Sequence, residues 1–431
     1  MQQSFILDRL VDIAARRLGM DPVEVRFKNY IQPEEQPYEQ PSGSIYDGGD
    51  YPLALRTAME ILGYDEVRGE QEAARAAGKL FGVGFGYGMD STAINTALVR
   101  FIGTKNRISG DSESAWVHMD ETGHVEVAFG AIAQGHGYET TMAQVVADAL
   151  GITPDDVRVK AGFDSYFNPW TPVSGTYASR FSVVGAGAVR GAAGKVRAKL
   201  IAIAAHLLGA DAGAIELRDR MAIDRVSERS VPLTELATVA WRDMDAMPPG
   251  VEAGLFAHHM YRTPFAPPRE DGTGNYAFTY PYSMGAAVVE VDPDTGKVDV
   301  KRFICVEDAG LTVNPLIVEG QVHGAIGHQM GGALYEKIVY DENGQLLTAT
   351  FKDYLVPTAA DLPSFETASI TTPSLSNESG QRGMGEGGGA GLIAVVAAVE
   401  DALAPMGITL TSSHLDPAEL WQAMQEAQHG T

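Results

Sequence analysis

Cysteine is almost missing from this sequence of 431 residues: Cys305 is the only one. A single thiol cannot close an internal disulfide, nor supply the four thiolates that hold an iron–sulfur cluster. Any electron relay that works with this chain must lie elsewhere. Basic charge is also short, with 32 Lys and Arg against 56 Asp and Glu and a net charge of −24. A surface that negative repels nucleic acid and anionic lipid, because binding to either requires phosphate contacts. A phosphate held here needs a local cradle of backbone amides. No apolar run approaches the roughly 20 residues of a membrane helix. The first residues, MQQSFILDRLVDIAARRLG, carry acidic groups and a helical period rather than a signal-peptide core, so the expected compartment is the cytoplasm. Familiar signatures are lacking too. GVGFGYG, from Gly82, has no GxGxxG register ahead of a helix, and GAGAVRGAAGK, from Gly185, has Val196 where a phosphate loop needs Ser or Thr. There is no Gly-x-Ser-x-Gly elbow.

What is present reads as an α+β protein. Phe5, Ile6, Leu10, Val11, Ile13, Ala14 and Leu18 share one face at helical spacing, which predicts a first helix with an apolar side. Gly19 ends it, and Asp21-Pro22 reads as an N-cap and first-turn proline opening a second. Residues 32–51 are rich in Pro, Gly and Ser and read as loop, and 52–62 are helical up to Gly63. Residues 117–127 alternate around Asp-Glu-Thr-Gly, a hairpin signal. Helices are expected over 138–150, closed by Gly151, and over about 184–208. A Pro- and aromatic-rich connection, 263–281, is the expected main boundary. Beyond it come a hairpin over 286–306, a helix near 318–336 and a last helix over 392–403. Strands and helices without regular βαβ alternation argue against a doubly wound sheet. The expected division is 1–75, 76–270 and 271–431.

Four loops carry candidate chemistry. In AIAQGHGYETTMAQ, Gln134, Gly135, His136 and Gly137 precede a helix. Glycines there let backbone N–H groups approach an anion, and the helix dipole favours negative charge. Alone, this loop reads more readily as a connection with no ligand. In the second loop, Thr176, Tyr177, Ser179 and Arg180 set three hydroxyls and a guanidinium beside Gly175, a lining for a phosphate or a polar ring. A solvated turn has the same composition. In the third, Asp308 and Asn314 belong to a turn entering a helix that carries His323 and His328. Those two are five apart, not the four of a shared zinc, so neither is read as a metal ligand.

The fourth loop is RGMGEGGGAGLIAVV. Six of the nine residues from 383 to 391 are glycine, and Glu386 is the only charge among them. Glycine costs backbone entropy without adding packing, so a geometric requirement is the natural cause. A carboxylate on a bare loop under a buried helix N-terminus can press against a bulky cofactor. Removed from water, it is poised as a general base. Arg382, four residues back, is the group expected to hold it ionised. The other reading is a surface loop with an incidental Glu, which the strongly apolar helix that follows opposes.

In this order the loops resemble the xanthine dehydrogenase/aldehyde oxidase family of molybdenum hydroxylases. QGHGYETTMAQVVADALGI, GTYASR, NPLIVEGQVHGAI and GMGEGGGAG each look like a family signature, and the likeness starts at GMDPVEVRFKNYI. It implies the second molybdopterin-binding lobe of the large subunit, made as a separate chain as in nicotinate dehydrogenase-type enzymes. Residues 1–75 would be a helical segment completing that lobe, and 76–270 and 271–431 its two molybdopterin-binding α+β domains. The implied cofactor is a molybdenum pterin in the cytosine dinucleotide form, whose dithiolene holds the metal without a protein ligand. The implied partners are an N-terminal molybdenum-lobe subunit, a subunit with [2Fe-2S] clusters and an FAD subunit, with a small-molecule substrate.

The implied reaction inserts water-derived oxygen into an electron-poor C–H bond of an N-heterocycle or aldehyde, with Glu386 as the base. Gln134, Gly135, His136, Gly137, Thr176, Tyr177, Ser179, Arg180, Asp308, Asn314, His328 and Gly385 would surround the cofactor. Three positions depart from the family pattern. His136 and His328 stand where relatives have Gln, and Ala309 where Cys often follows the aspartate. The two histidines leave a second reading open, an inactive cofactor-binding or scaffolding subunit, which retention of Glu386 opposes. A His donates from one nitrogen and accepts at the other, so it can replace part of a Gln's bonding.

Overall fold

The structure, a computed structural model, describes residues 2–101, 111–164, 175–387 and 390–429. Helix α1 (Gln2–Leu18) leads into α2 (Pro22–Asn29), where the Asp21 carboxylate accepts from the Val23 amide as N-cap. Asp50 caps α3 (Tyr51–Leu62) in the same way. Gly63, at φ 67°, stops α3 and opens α4 (Tyr64–Ala76), a helix that sequence periodicity missed because only Val67 and Gln71 are buried on it. Strand β1 (Leu80–Met89) follows, then β2 (Ser112–Met119), β3 (Val125–Phe129), α5 (Tyr138–Leu150), β4 (Val157–Ala161), α6 (Val184–Leu208) and β5 (Leu255–Arg262). The C-terminal part holds the hairpin β6 (Tyr282–Val291) and β7 (Val298–Asp308), then α7 (Pro315–Leu334), β8 (Phe365–Ser369) and α8 (Gly391–Leu403). One more helix, α9 (Pro417–His429), lies beyond the one expected to be last.

Two four-stranded sheets, ordered β5-β2-β3-β4 and β8-β7-β6-β1, carry the two larger cores. Each is antiparallel except for one edge pair, β3–β4 and β7–β8, which is parallel. β1 pairs with β6 along its whole length, from Leu80 opposite Val291 to Met89 opposite Tyr282. The expected boundary at 270 therefore cuts through a sheet. Period-2 alternation sends the side chains of β6 and β7 to opposite faces. Met284, Ala286, Val288 and Ile304 meet Tyr51, Leu55 and Leu62 of α3, whereas Ala287, Val289, Phe303 and Cys305 meet Ile326, Met330, Ile393 and Val396 of α7 and α8. Burial pushes the Cys305 thiol well up, so it is an inert core residue.

The glycines of GVGFGYG have a packing role. A Cβ at Gly82 would lie 1.9 Å from the Ala398 oxygen, and one at Gly84 2.1 Å from the Ala398 nitrogen. Only bare backbone lets α8 sit this close on β1. The second glycine-rich run behaves alike: in α6, a Cβ at Gly187 or Gly191 would strike Tyr261 or His259 of β5.

α1 turns most of its apolar side outward. Its buried residues are Phe5, Asp8, Arg9, Asp12 and Ala15, while Ile6, Leu7, Leu10 and Leu18 are each more than half exposed. The buried stripe is charged and paired. Arg26 of α2 meets Asp8 at 2.7 Å and Asp12 at 2.8 Å, and Arg9 meets Asp12 and Glu400 of α8. Buried charges persist only when compensated like this, and the pairing leaves the apolar stripe facing out.

Candidate active site

The first two candidate loops meet. Gly137, at φ 68°, is the N-cap of α5, and Gln134 and Gly135 before it are also left-handed, at φ 49° and 82°. The Thr176 hydroxyl donates to the Gln134 carboxamide oxygen at 2.8 Å. Ala178 and Ser179 are left-handed as well, at φ 48° and 47°, and the Ala178 carbonyl accepts from the amide of Ala93, itself at φ 54°. Non-glycine residues in that region cost of order 1–3 kcal/mol each. Four such residues at one junction are strain that the surrounding contacts must hold.

The glycine-rich loop closes on the same place. A Cβ at Gly383 would lie 2.4 Å from the Thr92 hydroxyl and 2.5 Å from Ser179 Cβ, and one at Gly385 would lie 3.1 Å from Ser179 Oγ. At Gly383 the geometric requirement is therefore real. Buried Ser179 in turn donates from its hydroxyl to Asp90 at 3.2 Å, and Asp90 also accepts from the Ser91 amide at 2.8 Å. Burial, and next the charge of Glu386, push the Asp90 carboxyl up to about 6.

Several candidates stand elsewhere than expected. Glu386 and Gly385 are exposed rather than removed from water. Arg382 does not hold Glu386. It is buried, paired with Asp308 at 3.0 Å and Asp47 at 3.5 Å, and it donates to the Thr372 carbonyl, so it anchors the root of the loop. Asp308 is spent on that anchor: it accepts from the Tyr282 hydroxyl at 2.9 Å and the Gly310 amide at 2.8 Å. Arg180 is buried against Glu113 at 3.1 Å and the Gly175 carbonyl at 2.9 Å, with Tyr177 over its guanidinium at 5.6 Å. Its charge is already neutralised, so it does not offer a free phosphate ligand. His328 is exposed on α7. The buried amide of that helix is its neighbour Gln329, whose oxygen accepts from the Leu392 amide at the start of α8. Asn314 caps α7 by accepting from the Ile317 amide and donates to Gln144 of α5 at 3.0 Å, tying the third loop to the first.

Two cavities of opposite character meet at the loop of Met384, Gly385 and Glu386. A cleft of about 120 Å³ is lined by His136, Thr176, Ser179, Asn314 and Gly385, so all four loops reach it. No Asp or Glu occurs among its described lining residues, and its one Arg or Lys is the internally paired Arg382. The recess is lined largely by apolar side chains, Phe181, Leu311, Val313, Ile317 and Met384 among them, beside the neutral donors Thr176, Ser179 and Asn314, and no described carboxylate there would repel an anion. On the other side, Glu386 and Asp90 line a cavity of about 940 Å³. Residues 57–363 match the molybdopterin cofactor-binding domain family. The chain belongs to that family.

The chain has relatives that match it along nearly its whole length. It is 35% identical to the carbon monoxide dehydrogenase large chain of Afipia carboxidovorans, over 97% of this chain and 50% of that one. It is also 35% identical to the nicotine 6-hydroxylase large subunit of Paenarthrobacter nicotinovorans, over 96% of this chain and 49% of that one. Among solved structures, quinoline 2-oxidoreductase from Pseudomonas putida 86 superposes with a TM-score of 0.87 at 34% identity, over 98% of this chain and 52% of that one. The chain thus spans about half the length of the relatives it matches, and its α+β fold is that of their molybdopterin-binding large subunits. Sequence reasoning missed Asp90 and Gln329. A carboxylate ending a glycine-rich strand was the available signal for Asp90; nothing in the sequence distinguished Gln329 from its neighbours.

Proposed function

We propose that this chain is the lobe of a molybdenum hydroxylase that holds a molybdenum pterin in the smaller cleft and presents Glu386 as general base to a substrate in the larger cavity. The single observation that carries this is the cleft: four loops far apart in sequence line one recess with no carboxylate among its described lining residues, and its wall ends at Gly385, the neighbour of Glu386 in the larger cavity. His136, Thr176, Ser179, Asn314 and the backbone of Gln134, Gly135, Gly137 and Gly385 would hold the cofactor, in its cytosine dinucleotide form. When bound, that group supplies the oxidising centre for inserting water-derived oxygen into an electron-poor C–H bond of an N-heterocycle or aldehyde. Glu386 accepts the proton released as the oxygen adds to carbon. Bare Gly385 and Gly387 leave it free to approach without a side-chain clash.

Its partners, on this reading, are a second molybdenum lobe, a [2Fe-2S] subunit and an FAD subunit, and we assign the complex to the cytoplasm. The apolar stripe of α1 supports a protein partner, because Ile6, Leu10 and Leu18 form an exposed helical face over a buried ionic one. Among the described residues no helix is long and apolar enough to cross a membrane. The test is to purify the chain with its native partners and measure molybdenum and acid-released cytidine monophosphate. About one of each per chain is expected, and a stable complex with neither would overturn the proposal.

A further inference from the structure

The larger cavity has a chemistry that the cofactor reading does not use. Among its described lining residues three are carboxylates, Asp8, Asp90 and Glu386, and five are tyrosines, while none is Lys or Arg. Asp8 is neutralised by Arg26 at 2.7 Å. Among the described residues Asp90 and Glu386 make no ion pair, and Asp90 accepts from the Ser91 amide and the Ser179 hydroxyl. Four of the tyrosines stand in two pairs that form a faceted wall: Tyr46 and Tyr280 meet edge to face at 4.9 Å, and Tyr30 and Tyr87 lie 5.5 Å apart. Aromatic faces carry negative potential, and a cation over them is attracted most where water is excluded. Carboxylates beside such a wall add to the attraction and repel an anion. The net charge of −24 favours entry of a cation at longer range.

We infer that this cavity selects a flat aromatic nitrogen compound bearing a positive charge, stacked on the tyrosine wall with its charged nitrogen toward Asp90 and its reacting carbon toward Glu386. This rests on the reading of Glu386 as the base. The chemistry is coherent with that role, since a positively charged ring is poorer in electrons and more open to attack by oxygen. Burial and Glu386 hold the Asp90 carboxyl up at about 6, and a cation placed between the two carboxylates relieves that repulsion. Anionic substrates such as aromatic carboxylates meet the opposite field and are rejected.

Binding without turnover tests this. The complex of the chain with its native partners is titrated with N-methylquinolinium, quinoline and 2-naphthoate, three flat two-ring probes that are cationic, neutral and anionic at neutral pH. Tyrosine fluorescence and calorimetry report the affinities. N-methylquinolinium should bind roughly ten- to a hundredfold tighter than quinoline, the span of a charged over a neutral contact, and 2-naphthoate should bind weakest. Asp90→Asn should shrink the first gap at least fivefold. Equal affinities, or 2-naphthoate binding tightest, would overturn the inference on the unmodified protein, whatever the variant does. A complex that prefers cations but holds no molybdenum sinks the hydroxylase reading alone. One that holds molybdenum without preferring cations sinks this inference alone.

Discussion

Ser179 is a small side chain on which the site converges. Its backbone is left-handed, its hydroxyl reaches Asp90, and its body fills the space that Gly383 leaves open. Ser179→Ala keeps that fit and removes one hydrogen bond, so a loss of about 0.5–1.5 kcal/mol in urea melts is expected. Gly383→Ala drives a methyl group into Thr92 and Ser179, and about 1–3 kcal/mol should be lost together with part of the bound molybdenum. Glu307 gives a pH signature of its own. It is buried, accepts from the Ser369 hydroxyl at 3.1 Å, and is pushed up to about 7 by burial first and the neighbouring Asp308 second. The folded protein then holds this proton more tightly than the unfolded chain. Stability from this group is present below about 4.5, falls as pH rises toward 7, and is flat above it. Glu307→Gln should remove that slope in melts at pH 5 and pH 8; an unchanged slope would place the titration on another group.

At the scale of elements, glycine decides how closely α8 can lie on β1, and that approach fixes where the Glu386 loop ends. Gly84→Val should leave no soluble folded protein, because the side chain would enter the α8 backbone. The Asp21 cap, the glycine stops and both hairpins were legible in the sequence, since each depends on neighbours in the chain: Asp21, Gly63 and Gly151 act where their sequence context places them. The orientation of α1 was not legible. Periodicity shows that a helix has two faces, and only the distant partners Arg26 and Glu400 decide that the charged one turns inward. The same limit hid the pairing of Arg180 with Glu113 and of Arg382 with Asp308, which take two expected ligands out of the site. The outward face of α1 makes its own prediction. Leu10→Asp should leave the melting temperature of the isolated chain unchanged and weaken capture of the native partner by about tenfold or more, as for a truncated hot spot. Undiminished capture would move the interface elsewhere.

At the scale of the whole molecule, two recesses, one with no carboxylate among its described lining residues and one with three, meet at a single glycine-rich loop. On the proposed reading, the division lets a chain of net charge −24 hold an anionic cofactor and keep a carboxylate base beside it. Four motif loops were enough to locate the cleft from sequence. The second cavity was not visible there, because its walls come from α1, the loop around Tyr46, β1 and the 272–280 connection, which share no motif. The claim that joins the two recesses is that Glu386 is the base, and kinetics of a Glu386→Gln complex test it most directly. The substitution keeps shape and hydrogen bonding but cannot accept a proton. With molybdenum and pterin content matched to the unmodified complex, kcat should fall by about 10²- to 10⁴-fold. Near-normal turnover at full cofactor content would contradict the account.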